Sequence, residues 1–245
     1  MSTSPVLVAS RVQLANRNTF IWSPLLVLGG AFVLTLAVWG IVQGAVADPD
    51  GAKYSGAVQA PFWYLLVIGA QAVAFTFPFS QALSITRRDF WLGAMTTFLG
   101  FSAIWSVGLW ALGLVEKATG GWFMDGSFFT LPLDLTLQGH SVIPAAGSPW
   151  YLLLWFLLAL LALSVGFAFG TVYKRWGTMG LTISIIAVVA VLVAFIGSAV
   201  KWNWWPTLAT LFPLEHLVGS ISVALGVVII AASLLSWALV RRLPA

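Results

Sequence analysis

Two groups of side chains in this 245-residue sequence have types and spacings that suit chemistry. The first lies in Leu83-Ser-Ile-Thr-Arg-Arg-Asp-Phe-Trp-Leu-Gly93, a charged break between two long apolar runs that holds the chain's only Arg-Arg-Asp cluster. Within it, Thr86, Arg87, Arg88, Asp89, Phe90 and Trp91 suit the docking of a soluble partner. Asp89 interrupts the purely basic pattern that lipid anchoring favours, and Phe90-Trp91 sets an aromatic pair beside the charges, as a docking knob requires. A basic loop resting on lipid phosphates accounts for the same charges more simply. The second group is dispersed: His140 and His216, with Asp125, Asp134 and Glu215. The histidines stand far apart and the carboxylates do not cluster by spacing, which predicts polar surface groups and no metal site.

Other chemistries are excluded by what is missing. Cysteine is absent, so disulfides, thiolate ligands and thiol nucleophiles are ruled out. No G-x-x-x-x-G-K-[ST], H-E-x-x-H or G-x-S-x-G pattern occurs, which removes the familiar nucleotide cradle, zinc-protease and hydrolase arrangements. Nothing in the composition calls for nucleic acid as a partner.

The elements that must position the charged break are membrane helices. The chain is 60% hydrophobic and 7% charged, with a mean hydropathy of +1.00. A soluble domain carries about 25% charged residues, so a water-facing surface cannot be built from this inventory. The expected fold is all-α, a polytopic membrane protein with six transmembrane helices over about 22–43, 62–82, 90–115, 150–172, 178–200 and 218–240. The whole of 1–245 reads as one transmembrane domain, with neither a cleaved signal peptide nor a soluble appendage. Ahead of the first span, residues 5–20 alternate apolar and polar positions at helical spacing and predict an in-plane amphipathic helix. Pro78 should kink the second span. The segment 202–216 suits either a surface loop or a re-entrant broken helix.

Charge sets the orientation. With the N-terminus inside, Arg11, Arg17, Arg87, Arg88, Lys174, Arg175, Arg241 and Arg242 are cytoplasmic, and only Lys53, Lys117 and Lys201 lie outside. That basic bias predicts both termini in the cytoplasm of a multi-pass cell-membrane protein. No acid or base lies deep in any predicted span, and Gln71 is the main polar side chain near mid-depth. Ion-coupled transporters hold their coupling ion with ionisable groups at that depth, so a driving force should enter from elsewhere.

The stretch Leu83-Ser-Ile-Thr-Arg-Arg-Asp-Phe-Trp-Leu-Gly93 is similar to the Ser/Thr-Arg-Arg-Asp-Phe-x-x-Gly loop of the ABC type-2 permeases, the six-helix membrane subunits of ABC exporters. The likeness extends to the in-plane helix, the six spans, the inner termini and a long outer loop, and so covers essentially the chain. It implies pairing with a second permease copy or a sister chain, and two soluble ABC-type ATPase subunits below. ATP and Mg would then bind in the partner, and this chain would carry no catalysis and no cofactor of its own. It also implies that 83–91 is a coupling helix seated in the ATPase. The second and fifth spans would line the pathway, which nominates Gln71, Phe75, Phe79, Thr182 and Ile186.

An apolar pathway suits an amphiphilic or hydrophobic cargo such as a drug, lipid or peptide. Two other classes compete with the permease reading. One is a membrane-anchored assembly or scaffold factor using the same cytoplasmic loop. The other is a membrane enzyme acting on a lipid-linked substrate through Asp125, Asp134 or Glu215.

Overall fold

A computed structural model describes residues 5–13, 18–45, 53–130, 136–137, 140–141, 147–204, 207, 210 and 217–243. The chain is mostly helical, and among the described residues five helical stretches are long and apolar enough to cross a bilayer. We label the helices α1 (Pro5–Gln13), α2 (Ser23–Ala45), α3 (Ala60–Ala74), α4 (Thr76–Ala82), α5 (Arg87–Ala118), α6 (Pro149–Lys201) and α7 (Leu217–Val240).

Local chemistry explains where the helices start and break. Thr86 and Ser148 sit in extended backbone as N-caps, and their hydroxyls accept from Asp89 N and Trp150 N respectively. Pro61 and Pro149 open α3 and α6, where a missing N–H costs nothing. The kink expected at Pro78 falls three residues earlier, at Phe75, which separates α3 from α4. Proline clashes with the carbonyl four residues back, here that of Ala74, so the disturbance lands at the residue after it. Predicted spans 150–172 and 178–200 are continuous in α6, which bends sharply at Gly177 (φ 70°, ψ −165°). A Cβ on Gly180 would run into the Trp176 side chain across that bend.

Packing divides α6 into two unlike limbs. Before Gly177, Tyr151, Trp155, Ala159, Leu163 and Phe167 are buried against the rest of the bundle. After it, residues 178–197 are exposed almost without exception within the single chain. α6 packs chiefly on α3, α5 and α7. Its contact with α3 rests on glycine: a Cβ on Gly69 would strike the Leu163 carbonyl oxygen, and one on Gly166 the Leu66 carbonyl oxygen. A Cβ on Gly170 would lie 2.6 Å from Ala70 O. Gly166-Phe-Ala-Phe-Gly170 is thus a small-xxx-small motif that lets two helix backbones touch.

The two ends of the bundle are chemically distinct. At one end α1 docks on α5, where the Ser10 hydroxyl lies 3.2 Å from Gly93 O and 3.1 Å from the Thr96 hydroxyl, and Ala9 fills the space over Gly93. Residues 5–13 of the predicted N-terminal helix are therefore helical and packed on protein. At the other end Lys53–Tyr54 and Gly126–Ser127 form a short parallel strand pair, and Lys53 Nζ donates to Met124 O at 3.0 Å. Thr136–Leu137 and His140–Ser141 pair as an antiparallel hairpin.

Candidate functional site

The charged break is a hydrogen-bonded elbow joining α4 to α5. Thr86 donates its hydroxyl to Asp89 Oδ2 at 2.6 Å and accepts from Asp89 N at 3.1 Å, a reciprocal cap that fixes the start of α5. Asp89 in the first turn also suits the positive end of the helix dipole. Ser84 takes a left-handed conformation (φ 56°), and Ile85 N bonds back to Ser80 O at 3.1 Å. Arg87 donates through Nη1 to the Arg241 carbonyl at 2.9 Å, so the elbow grips the residue just past the end of α7.

The expected aromatic knob is turned inward. Phe90 is fully buried between Phe77, with ring centroids 5.2 Å apart, and Phe167, at 6.2 Å. Trp91 is half-buried, donates through Nε1 to the Ser236 hydroxyl at 3.1 Å, and packs on Trp237. Phe90, the fourth residue of α5, falls on the stripe of that helix that meets α4 and α6, and adjacency to charge in the sequence does not alter that. The exposed surface of the elbow consists of Leu83, Ser84, Thr86 and Arg88, with half-buried Asp89 at its edge.

The nominated pathway residues do not share a cavity within one chain. Gln71 is half-buried on α3, whereas Phe75 and Phe79 project outward from the α3–α4 break. Thr182 and Ile186 lie on the exposed second limb of α6, and the Thr182 hydroxyl is satisfied by Thr178 O at 3.0 Å. Of the dispersed polar group, Asp125 is exposed, and Asp134, Glu215 and His216 lie outside the described residues, as does most of 202–216. No group of three metal-ligating side chains occurs among the described residues.

A concave site does exist, but on another face. It is a groove of about 510 Å³ between the first turns of α3, the first limb of α6 and the start of α7. Its walls include Phe62, Trp63, Leu66, Leu158, Val165 and Leu225, and Tyr54, Gln59 and Tyr151 supply polar groups at one end. Phe62 and Trp155 stack with centroids 5.7 Å apart and an interplanar angle of 12°. These bulky rings prop α3 and α6 apart at this end, while Gly69, Gly166 and Gly170 let them touch further along. The groove is the wedge between the two. Reading for polar residues missed it, because its signal is the size order of apolar ones.

At the Lys53 end, Glu116 organises a cap that the sequence showed only as the start of a polar loop. The side chain is buried (2% exposed), and Oε2 accepts from Trp122 Nε1 at 2.9 Å, Phe128 N at 2.8 Å and Phe129 N at 2.9 Å. Oε1 accepts from Thr130 N at 3.0 Å and from the Thr130 hydroxyl. A carboxylate near a helix C-terminus is disfavoured by the dipole, and five donors offset that here. The clamp holds a left-handed turn in which Gly120, Gly121, Trp122 and Phe123 all have positive φ. Phe32 packs on Trp122, Phe128 and Phe129 from α2, and Gly126 is the residue that leaves room for Trp39. Compared with protein-family models, curated proteins and solved structures, the chain matches none, so geometry and sequence carry the functional argument.

Proposed function

We propose that the chain is the membrane-spanning permease subunit of an ATP-driven ABC exporter of the type-2 kind, with six spans and both termini in the cytoplasm of the cell membrane. In this reading α6 supplies two spans hinged at Gly177. Two permeases, identical or sister chains, pair above soluble ATPase subunits that bind ATP and Mg. The cargo is an amphiphilic or hydrophobic molecule, and neither catalysis nor a cofactor belongs to this chain.

The observation that supports this most is the elbow's mechanical attachment. A lever must be stiff and must grip what it moves. Thr86 and Asp89 lock the start of α5, Arg87 holds the end of α7, and Phe90 packs on Phe77 of α4 and Phe167 of α6. Force applied at Leu83–Arg88 therefore reaches four helices without first taking up slack. The elbow, Arg241 and α1 also gather at one end, and Lys53 and Glu116 at the other, in agreement with the charge-based sidedness.

Co-expression with the products of neighbouring genes, purification and an ATPase assay in lipid nanodiscs test the proposal. A stoichiometric nucleotide-binding subunit that is lost on Arg88→Glu supports it. Recovery of the chain alone, without ATPase activity, overturns it in favour of a free-standing membrane factor.

A further inference from the structure

We infer that the wedge between α3, α6 and α7 is a binding site for a single acyl chain of a membrane amphiphile, entered from the leaflet at the Tyr54–Tyr151 end. Its shape follows from the order of residue sizes along two helices. On α3, Phe62 and Trp63 precede Leu66 and Gly69; on α6, Tyr151 and Trp155 precede Ala162 and Gly166. The rings hold the helices apart, and backbone contact at Leu66–Gly166 and Gly69–Leu163 closes the floor. Ile221 and Leu225 of α7 form the third wall.

The occupant follows from three properties of this space. Polarity is confined to one end, where exposed Tyr54 and Gln59 stand near buried Tyr151, and the other lining side chains named are aliphatic or aromatic. A ligand with one polar head and one long apolar tail matches that distribution, whereas a peptide helix or a polar solute does not. The volume of about 510 Å³ falls within the roughly 300–1,000 Å³ typical of sites that enclose small molecules. Val58 to Leu66, running from the 3-10 turn Gly56–Gln59 into α3, and Tyr151 to Val165 on α6 rise by about 13 and 21 Å at 2.0 Å per 3-10 residue and 1.5 Å per α residue, which brackets the depth of roughly 15 Å of one leaflet's hydrocarbon. The exposed limb 178–197 of α6 is also largely apolar, and it serves as the internal comparison for lipid contact outside the groove.

The site requires neither nucleotide nor ATPase, so the permease reading can fail without affecting it, and the reverse also holds. The test uses the full chain in phosphatidylcholine vesicles doped with phosphatidylcholine carrying a diazirine in one acyl chain. Photolysis is followed by peptide mapping. Labelling should concentrate on 58–66, 158–165 and 221–225, about tenfold above 183–196, as expected for a site that favours the chain by roughly 1.4 kcal/mol over bulk lipid. Ala162→Trp, which fills the wedge from α6, should remove that excess and leave 183–196 unchanged. Leu225→Trp, on the third wall, should do the same and guards against misfolding of the first variant. Equal labelling of groove and limb, or an excess that survives both substitutions in folded protein, overturns the inference. Crosslinks from the groove to a second copy of the chain would assign it to a self-interface and also overturn it.

Discussion

Replacing Glu116 by alanine tests whether the cap at the Lys53 end depends on one buried carboxylate. The substitution removes the acceptor for five donors, of which the Phe128 and Phe129 amides are the most deeply buried, at 1% and 2% residue exposure. Each buried donor left without a partner costs about 1–3 kcal/mol, and water entering the vacated space lowers the sum. An expected loss of about 3 kcal/mol for the pair corresponds to roughly a hundredfold change in an opening equilibrium. The left-handed turn carries two non-glycine residues, Trp122 and Phe123, each strained by about 1–2 kcal/mol. Without the clamp it should relax. Hydrogen exchange by mass spectrometry in nanodiscs reads this directly: amides 128–130 should be protected in the native chain and exchange about a hundredfold faster in Glu116→Ala. Glu116→Gln is the sharper control. Its single oxygen can still accept from Trp122, Phe128 and Phe129, leaving Thr130 N facing the amide, so about 1 kcal/mol should be lost. Unchanged exchange in Glu116→Ala, or equal damage from both variants, would refute the reasoning.

Four further substitutions have outcomes set by contacts elsewhere in the bundle. Gly166→Leu should lower the melting temperature sharply, because overpacking costs about 1–3 kcal/mol or more and its Cβ meets the Leu66 backbone, which cannot yield as a side chain would. Gly100→Leu on α5, where a Cβ meets nothing within 4 Å, should leave the melt unchanged. On the permease proposal, Arg87→Ala should retain ATPase binding yet lose transport-coupled ATP hydrolysis, since Arg87 bonds Arg241 O whereas Arg88 faces solvent; co-purification with and without turnover measurements separates the two. Trp91→Phe removes a donor to the Ser236 hydroxyl and should cost about 1 kcal/mol in a thermal melt.

The elbow shows how much of a site can be legible without coordinates. Thr86 three residues before Asp89, ahead of an apolar run, is a capping pattern, and the cap forms. The same stretch misled on Phe90 and Trp91, because the direction of a side chain depends on which stripe of α5 meets α4, α6 and α7. Gly166-x-x-x-Gly170 was equally available as a packing signal, but which helix it would meet was not. Glu116 offered no cue at all. Its donors come from residues 122–130, folded back by a left-handed turn that propensity disfavours.

Sequence by itself determined that this protein is a bundle of long apolar helices, because runs of about 20 apolar residues with so few charges suit helices long enough to cross a bilayer. It also determined the places where those helices begin or bend, through Thr86, Ser148, Pro78 and Gly177, since caps, proline and left-handed glycine act within a turn of themselves. Only the tertiary structure decided which faces meet. The five donors around Glu116 arise from a turn that folds residues 122–130 back on it, and the inward turn of Phe90 and the wedge above Gly166 from residues far apart in the chain. Their contacts depend on the rotation and spacing of whole helices, and no local pattern encodes those.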